Sequence, residues 1–411
     1  MKILLFDDFR LGVLVDDTIT DVSAVTEGIP SAHPQDVMNA IIAGWSTYQG
    51  RVEAELARGP KLSLKDVRVR PPLPRPTNID CMARNYMENG TLPERPPINA
   101  FTKSPNSIIG QGDTMVLPDV AATVFEVEAE LAVVIGRYAD NVSVEEALDY
   151  VFGYTNLMDG SARGIPPRQN AFYQMKSRGT FCPIGPFIMT ADEIADPQNL
   201  PVRLWNNGTL MQDFNTNDMA YSIAESIAFI SSVHPLEPGD IVATGTNHRG
   251  LHPLMDGSAR GIPPRQNAFY QMKSRGTFCP IGPFIMTADE IADPQNLPVR
   301  LRNNGNLMQD FNTNDMAYSI AESIAFISSV HPLEPGDIVA TGTNHRGLHP
   351  LMDGDVLELE VGPLGVLRID IRDELGRTGA RETRHQRAEA GLEGVSPQLT
   401  GKYAPTQAVG V

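Results

Sequence analysis

The stretch Phe125–Gly136 places Glu126, Glu128 and Glu130 at every second position. On an extended strand these side chains share one face, with about 6.5–7 Å between successive carboxylates. Glu128 and Glu130 can therefore share one cation, or repel each other if left unpaired. Hard divalent ions such as Mg²⁺ take carboxylate oxygens and keep positions open for a substrate. The bland alternative is a solvated acidic strand edge. The three cysteines, Cys81, Cys182 and Cys279, have no neighbouring base and read as small core residues, not nucleophiles. They make no disulfide framework, so the expected setting is a reduced, cytoplasmic one.

The elements that must hold such residues are legible as patterns. Phe125, Val127, Ala129, Leu131, Val133 and Ile135 line one face of a period-two strand, opposite the glutamates. Residues 2–6 and 11–15 read as two short apolar strands, and residues 34–58 carry helical spacing. Residues 202–212 read as a hairpin turning at Asn207-Gly208. Residues 217–233 read as a helix capped at Thr216 or Asn217, with Met219, Ile223, Ile227 and Ile230 as its apolar stripe. Ile241–Thr244, Val356–Val361 and Val366–Ile371 complete the strands. The prolines at 71, 72, 74 and 76 mark a boundary. The expected fold is mostly β with some α, an α+β class, with a small N-terminal domain over 1–72, a catalytic domain over 73–375 and a polar tail over 376–411 that is extended, disordered or laid on a neighbouring subunit.

The 411 residues include 33 Lys+Arg against 50 Asp+Glu, a formal net charge of −17. That sign argues against nucleic acid and against an anionic membrane surface as partners. No apolar run reaches the roughly 18 residues a membrane span needs.

The chain also repeats itself. Residues 158–254 recur as 255–351, with only Trp205/Arg302 and Thr209/Asn306 differing. Leu-Met-Asp-Gly stands at 157–160, 254–257 and 351–354, the mark of recombination between short matches. Removing one copy leaves 314 residues. Synthesis order and connection length favour a core built from the first copy, with the stripe Met316, Ile320, Ile324 and Ile327 of the second left exposed.

Four ordered segments carry a resemblance: Glu128-Ala129-Glu130-Leu131; Gly153-Tyr154-Thr155 followed by Asp159 and Ser161-Ala162-Arg163; Lys176 followed by Pro183-Ile184-Gly185-Pro186; and Leu236-Glu237-Pro238-Gly239-Asp240 followed by Thr244-Gly245-Thr246. Together they resemble the fumarylacetoacetate hydrolase family, from about residue 76 to 373 once one copy is removed. The resemblance implies that family's mixed β-sheet roll. It implies Glu128, Glu130 and Asp159 as ligands of Mg²⁺ or Mn²⁺, with no organic cofactor. It places Lys176 and Arg163 near a bound substrate and Thr246 by its carboxylate or oxo group. The bland readings are a surface lysine at 176 and an ion pair at Arg163. The implied activity is C–C bond cleavage, keto–enol isomerisation or decarboxylation of a 2-oxo or 1,3-dioxo carboxylic acid in the catabolism of aromatic compounds, by a homodimer. The alternative is an inactive duplicated member that only binds metal or assembles.

Two departures bear on mechanism. Hydrolytic members of the family carry Asn-Tyr-x-x-His with a glutamate three residues beyond; here Asn85-Tyr86 leads to Asn89 and Leu92. Asparagine is no general base, which shifts weight from hydrolysis toward isomerisation or decarboxylation. His248 stands where the family usually has proline, so it is either a replacement base or a solvent-exposed loop histidine.

Overall fold

The computed structural model describes residues 1–120, 122, 124–163, 165, 172–206, 208–248, 274, 277–373, 376, 378 and 381–392. The chain forms two units, Met1–Phe278 with Val330–Leu333, and Cys279–Ser329 with Glu334–Val411.

In the first unit the strands are β1 (Lys2–Phe6), β2 (Arg10–Val15), β3 (Thr18–Asp21), β4 (Lys61–Ser63), β5 (Val69–Arg70), β6 (Ile79–Met82), β7 (Ala100–Thr102), β8 (Ile108–Ile109), β9 (Val124–Ile135), β10 (Val151–Arg163), β11 (Cys182–Thr190), β12 (Pro201–Asn206), β13 (Thr209–Asn215) and β14 (Ile241–Ala243). Twelve of them form one sheet in the order β4-β3-β2-β1-β11-β10-β9-β14-β6-β7, with β5 on β1 and β8 on β11; β12 and β13 form a separate hairpin. The opening strands thus join the same sheet as the later ones through β1 and β11.

The alternation in β9 sorts the two sides of that sheet. Ala129, Leu131, Val133 and Ile135 pack in a cluster with Ile223, Ile227 and Ile230. Ala132 and Val134, on the opposite face, pack with Ile3, Leu5, Met38 and Ile41 from the N-terminal elements. The helical stretch at 34–58 is two helices, Pro34–Ala43 and Trp45–Arg58, parted at Gly44. The helix expected over 217–233 is shorter, Ile223–Ser231. Ser222 and Glu225 close a capping box at its start. Thr216–Asp218 is a separate 3₁₀ turn capped by Asn215, so Met219 packs in the same cluster from outside the helix.

In the second unit the strands are β15 (Pro298–Asn303), β16 (Asn306–Asn312), β17 (Val356–Val361) and β18 (Val366–Asp370), in the order β16-β15-β17-β18. The helix Ile320–Ser328 has no buried residue. The tail, expected to be extended, disordered or laid on a neighbouring subunit, holds a short helix, Arg384–Glu389. Cys81 and Cys182 are buried as expected, but Cys279 is exposed, because the second-copy segment around it forms no strand. Among the described residues no helix is long and apolar enough to cross a membrane.

Candidate metal centre

Strand register alone assembles the acidic cluster. β9 and β10 pair antiparallel, with Asp159 opposite Glu128 and Leu157 opposite Glu130. Residues directly opposite one another point to the same face, so Asp159 joins Glu128 and Glu130 there. One oxygen of each carboxylate lies within 4.8 Å of the others. All three residues are buried, Asp159 completely. The bland reading of a wet acidic edge therefore fails for Glu128 and Glu130.

Buried carboxylates need compensating charge, and among the described residues three cations face these. Lys176 Nζ donates to Glu128 Oε2 at 2.6 Å and also to Asp159 Oδ2. Lys176 is 3% exposed, so it is not a surface lysine. Arg163 donates to Glu126 at 2.7 Å and to Glu128, so the ion-pair reading of that residue holds. Lys103 was not singled out in the sequence; its Nζ donates to Asp159 Oδ1 at 2.6 Å and to the Lys176 carbonyl. It lies 56 residues from Asp159, and no local pattern announces it.

The charges set one another's protonation. Burial pushes Glu130 well above the usual carboxylate range, and the neighbouring Asp159 and Glu128 push it further. Burial also works against an ionised Asp159, but the ammonium groups of Lys103 and Lys176 outweigh it and hold that carboxyl well below its ordinary value. Burial disfavours the charged Lys176, yet Asp159 and Glu128 overcome this and raise it. The same balance raises Arg163, with Glu128 and Glu126 outweighing desolvation.

The segment after β14 is fastened to this cluster. The Gly245 N–H donates to Glu130 Oε2 at 2.9 Å. Gln212, from β13, accepts from the Ala129 N–H at 3.0 Å and donates to Thr246 Oγ1 at 3.0 Å and to the Asn247 carbonyl at 2.7 Å. Gln212 is buried; its hairpin also carries Arg203, Asp213 and Asn215, so no local signal sets it apart. Thr246 is thereby brought beside the strand that carries Glu128 and Glu130. His248, two residues on, has a side chain 37% exposed and bonds to Glu88. Asn89 is a structural link: its N–H donates to Asp218 and its side-chain oxygen accepts from Asn247. Asp256, the second-copy equivalent of Asp159, lies outside the described residues.

The residues present fit a hard divalent cation. The donor set is three converging buried carboxylates, without thiolate or imidazole, which suits Mg²⁺ or Mn²⁺ over softer metals.

Comparison with known proteins points the same way. The fumarylacetoacetate (FAA) hydrolase C-terminal family matches residues 78–251 and, a second time, 249–372. The chain is 34% identical over 261 residues to oxaloacetate tautomerase YisK of Bacillus subtilis (strain 168), covering 59% of this chain and 86% of that protein. It is 32% identical over 275 residues to maleylpyruvate hydrolase of Aquipseudomonas alcaligenes, covering 63% and 94%. Its fold resembles the crystal structure of maleylpyruvate hydrolase from Sphingobium sp. SYK-6 in complex with manganese (II) ion and pyruvate, with TM-score 0.54, 26% identity, and 90% of this chain and 99% of that one covered.

Proposed function

From a chain that belongs to the fumarylacetoacetate hydrolase family, we infer a Mg²⁺- or Mn²⁺-dependent enzyme that interconverts the keto and enol forms of a small 2-oxo dicarboxylic acid. The observation that carries this reading is the buried cluster of Glu128, Glu130 and Asp159 with Lys176 against it. Manganese and pyruvate in the related maleylpyruvate hydrolase, and the activity named for the Bacillus relative, support it.

Glu128, Glu130 and Asp159 would hold the cation. Bound there, it would supply Lewis-acid polarisation of the substrate carbonyl. Lys176 keeps an ammonium charge where an enolate oxygen develops. Arg163, braced by Glu126 and Glu128, adds positive charge at the same face. Thr246 accepts from Gln212 through its oxygen, so its own hydroxyl proton is left to donate to a substrate carboxylate or oxo group. Isomerisation needs no activated water, in keeping with Asn89 at the position of the family's histidine. A homodimer, a cytoplasmic setting and a supply of substrate from aromatic ring cleavage belong to the same proposal; the maleylpyruvate hydrolase relative favours the last of these.

The test is a panel of 2-oxo and 1,3-dioxo acids, oxaloacetate first, with Mg²⁺ or Mn²⁺ and with excess chelator. Enol-to-ketone conversion that stops in chelator is expected. Full activity in chelator would sink the reading, and cation binding without any turnover would favour the inactive family member.

A further inference from the structure

Glu88 is an isolated acid in the sequence, and nothing near it in the chain gives it a role. In the structure it reaches across 160 residues to His248. We propose that Glu88 and His248 form the proton-transfer pair of this site, with His248 as the base and Glu88 as the residue that positions it. The proposal rests on the oxo-acid reading above and deepens it.

The geometry is that of a clamped imidazole. One Glu88 oxygen lies 2.8 Å from His248 Nδ1, and the other accepts the His248 backbone N–H at 2.9 Å. A carboxylate only accepts, so the proton of a neutral ring belongs on Nδ1. The lone pair is then on Nε2, across the ring from Glu88. Holding both the ring and its own backbone fixes the histidine's direction as well as its tautomer.

The loop that presents Glu88 is unusual in itself. Glu88 and Asn89 both adopt left-handed backbone, with φ of 56° and 55°. Non-glycine residues rarely do so without surrounding support. Here the Asn89 N–H is held by Asp218 at 2.8 Å, and Asn247 donates to Asp218 at 2.8 Å and to Asn89 at 3.2 Å. The other side of the pair is anchored to the acidic cluster through Gly245 and Glu130. His248 follows Gly245 by three residues, which limits their Cα separation to about 11 Å. The acids that hold this loop are Glu88, on the His248 ring, and Asp218, on Asn89 and Asn247.

The step balances. Nε2 takes the proton from the carbon next to the substrate's 2-oxo group. The C–H electron pair becomes the C2–C3 double bond, and the carbonyl pair moves onto oxygen. That oxygen then takes a proton back from the Nε2–H, which gives the enol and restores the neutral ring. The reverse sequence returns the ketone, and no atom is gained or lost.

The test compares His248→Gln and Glu88→Gln with the natural chain, reading kcat against pH and cation affinity by calorimetry. His248→Gln should lower kcat about 10²–10⁴-fold, the usual worth of a positioned acid or base, and erase the acid limb, with cation affinity within about twofold. Glu88→Gln should lower kcat about tenfold with cation affinity within about twofold, and Glu88→Asp should restore part of that rate, because a shorter carboxylate can still accept the Nδ1 proton and hold the ring. An active natural chain whose rate and profile survive His248→Gln would overturn the pair alone. A Glu88→Gln variant with the natural rate, or a Glu88→Asp variant no faster than Glu88→Gln, would overturn the part given to Glu88. A natural chain that turns over no oxo acid would instead bring down the functional reading itself, and the pair with it.

Discussion

The two copies of the 97-residue repeat are nearly the same sequence in different surroundings. Residues 182–190 form β11, flanked in the sheet by β1 and β10. The equivalent 279–287 form no strand, and Phe278, Ile281, Phe284 and Ile285 lie exposed beside or within them. Ile241–Ala243 is β14, wholly buried, whereas 338–340 are not a strand and Ile338 is 69% exposed. Other elements come out alike in both. The hairpins β12–β13 and β15–β16 have matching registers. The helices Ile223–Ser231 and Ile320–Ser328 carry the same Ser/Glu capping box. Gln309 even repeats the bonds of Gln212, donating to Thr343 and the Asn344 carbonyl, but without a counterpart to Ala129. The difference separates structure that neighbours in sequence can specify from structure that needs a partner far along the chain. Hairpins and capped helices close their own hydrogen bonds. A lone strand cannot, and the second copy brings no second β1 or β9 to pair with, because both precede the repeat.

The broadest test of this contrast removes residues 255–351. In the structure β15 pairs with both β16 and β17, with Leu301 opposite Leu359. In the 314-residue chain Leu204 should inherit that place, so Leu204→Cys with Leu359→Cys should form a disulfide there. In the full chain Leu301→Cys with Leu359→Cys should form one. Absence of the first cross-link, read by mass spectrometry, would break the equivalence of the two hairpins. The shortened chain should also scatter less light on heating, having lost the exposed apolar segment.

At the site, Asp159→Ala should weaken Mn²⁺ binding more than about 100-fold, beyond the usual cost of losing an outer partner of a ligand. Asp256→Ala should leave affinity within about twofold. Equal losses in calorimetry would mean that both copies supply the cluster.

In the core, Ile227 is fully buried and Ile324 is 44% exposed. Ile227→Ala should cost about 2–5 kcal/mol, and Ile324→Ala about 0.5 kcal/mol or less. Urea denaturation followed in each unit separately checks this; similar costs would show that the second helix is covered in solution.

The smallest effect concerns His234. Burial works against its charged form, but its bond to Asp80 outweighs this and raises it from 6.5 to about 9. A raised value in the folded state means the contribution to stability is full below pH 6.5 and is lost as pH rises through about 9. The natural chain should therefore lose more stability than His234→Gln between pH 6 and 9.5. Asp80 precedes the repeat, so no copied residue can take its part beside His331.

The same division explains what could be read beforehand. The β9 alternation and the closing hairpin were visible because each is written in consecutive residues. The helix start was misplaced because Asn215 caps a short turn of its own, seven residues before Ser222; the Ser222-x-x-Glu225 box was the better signal. The metal ligands came from motif resemblance, and strand register supplies the reason they meet. Lys103, Gln212 and Glu88 stayed hidden because their partners lie 56, 83 and 160 residues away.

The repeat begins at Met158, in the middle of β10. In evolutionary terms this makes the copied unit a fragment and not a module. It carries Asp159 but not Tyr154, and the second half of a strand without the first. Solenoid repeats multiply because each unit ends in a loop and stacks on the last. A unit cut inside a strand offers no such surface, and a third copy would again lack partners for its equivalents of β11 and β14. The lineage is therefore expected to shorten by recombination at the Leu-Met-Asp-Gly matches more readily than it lengthens.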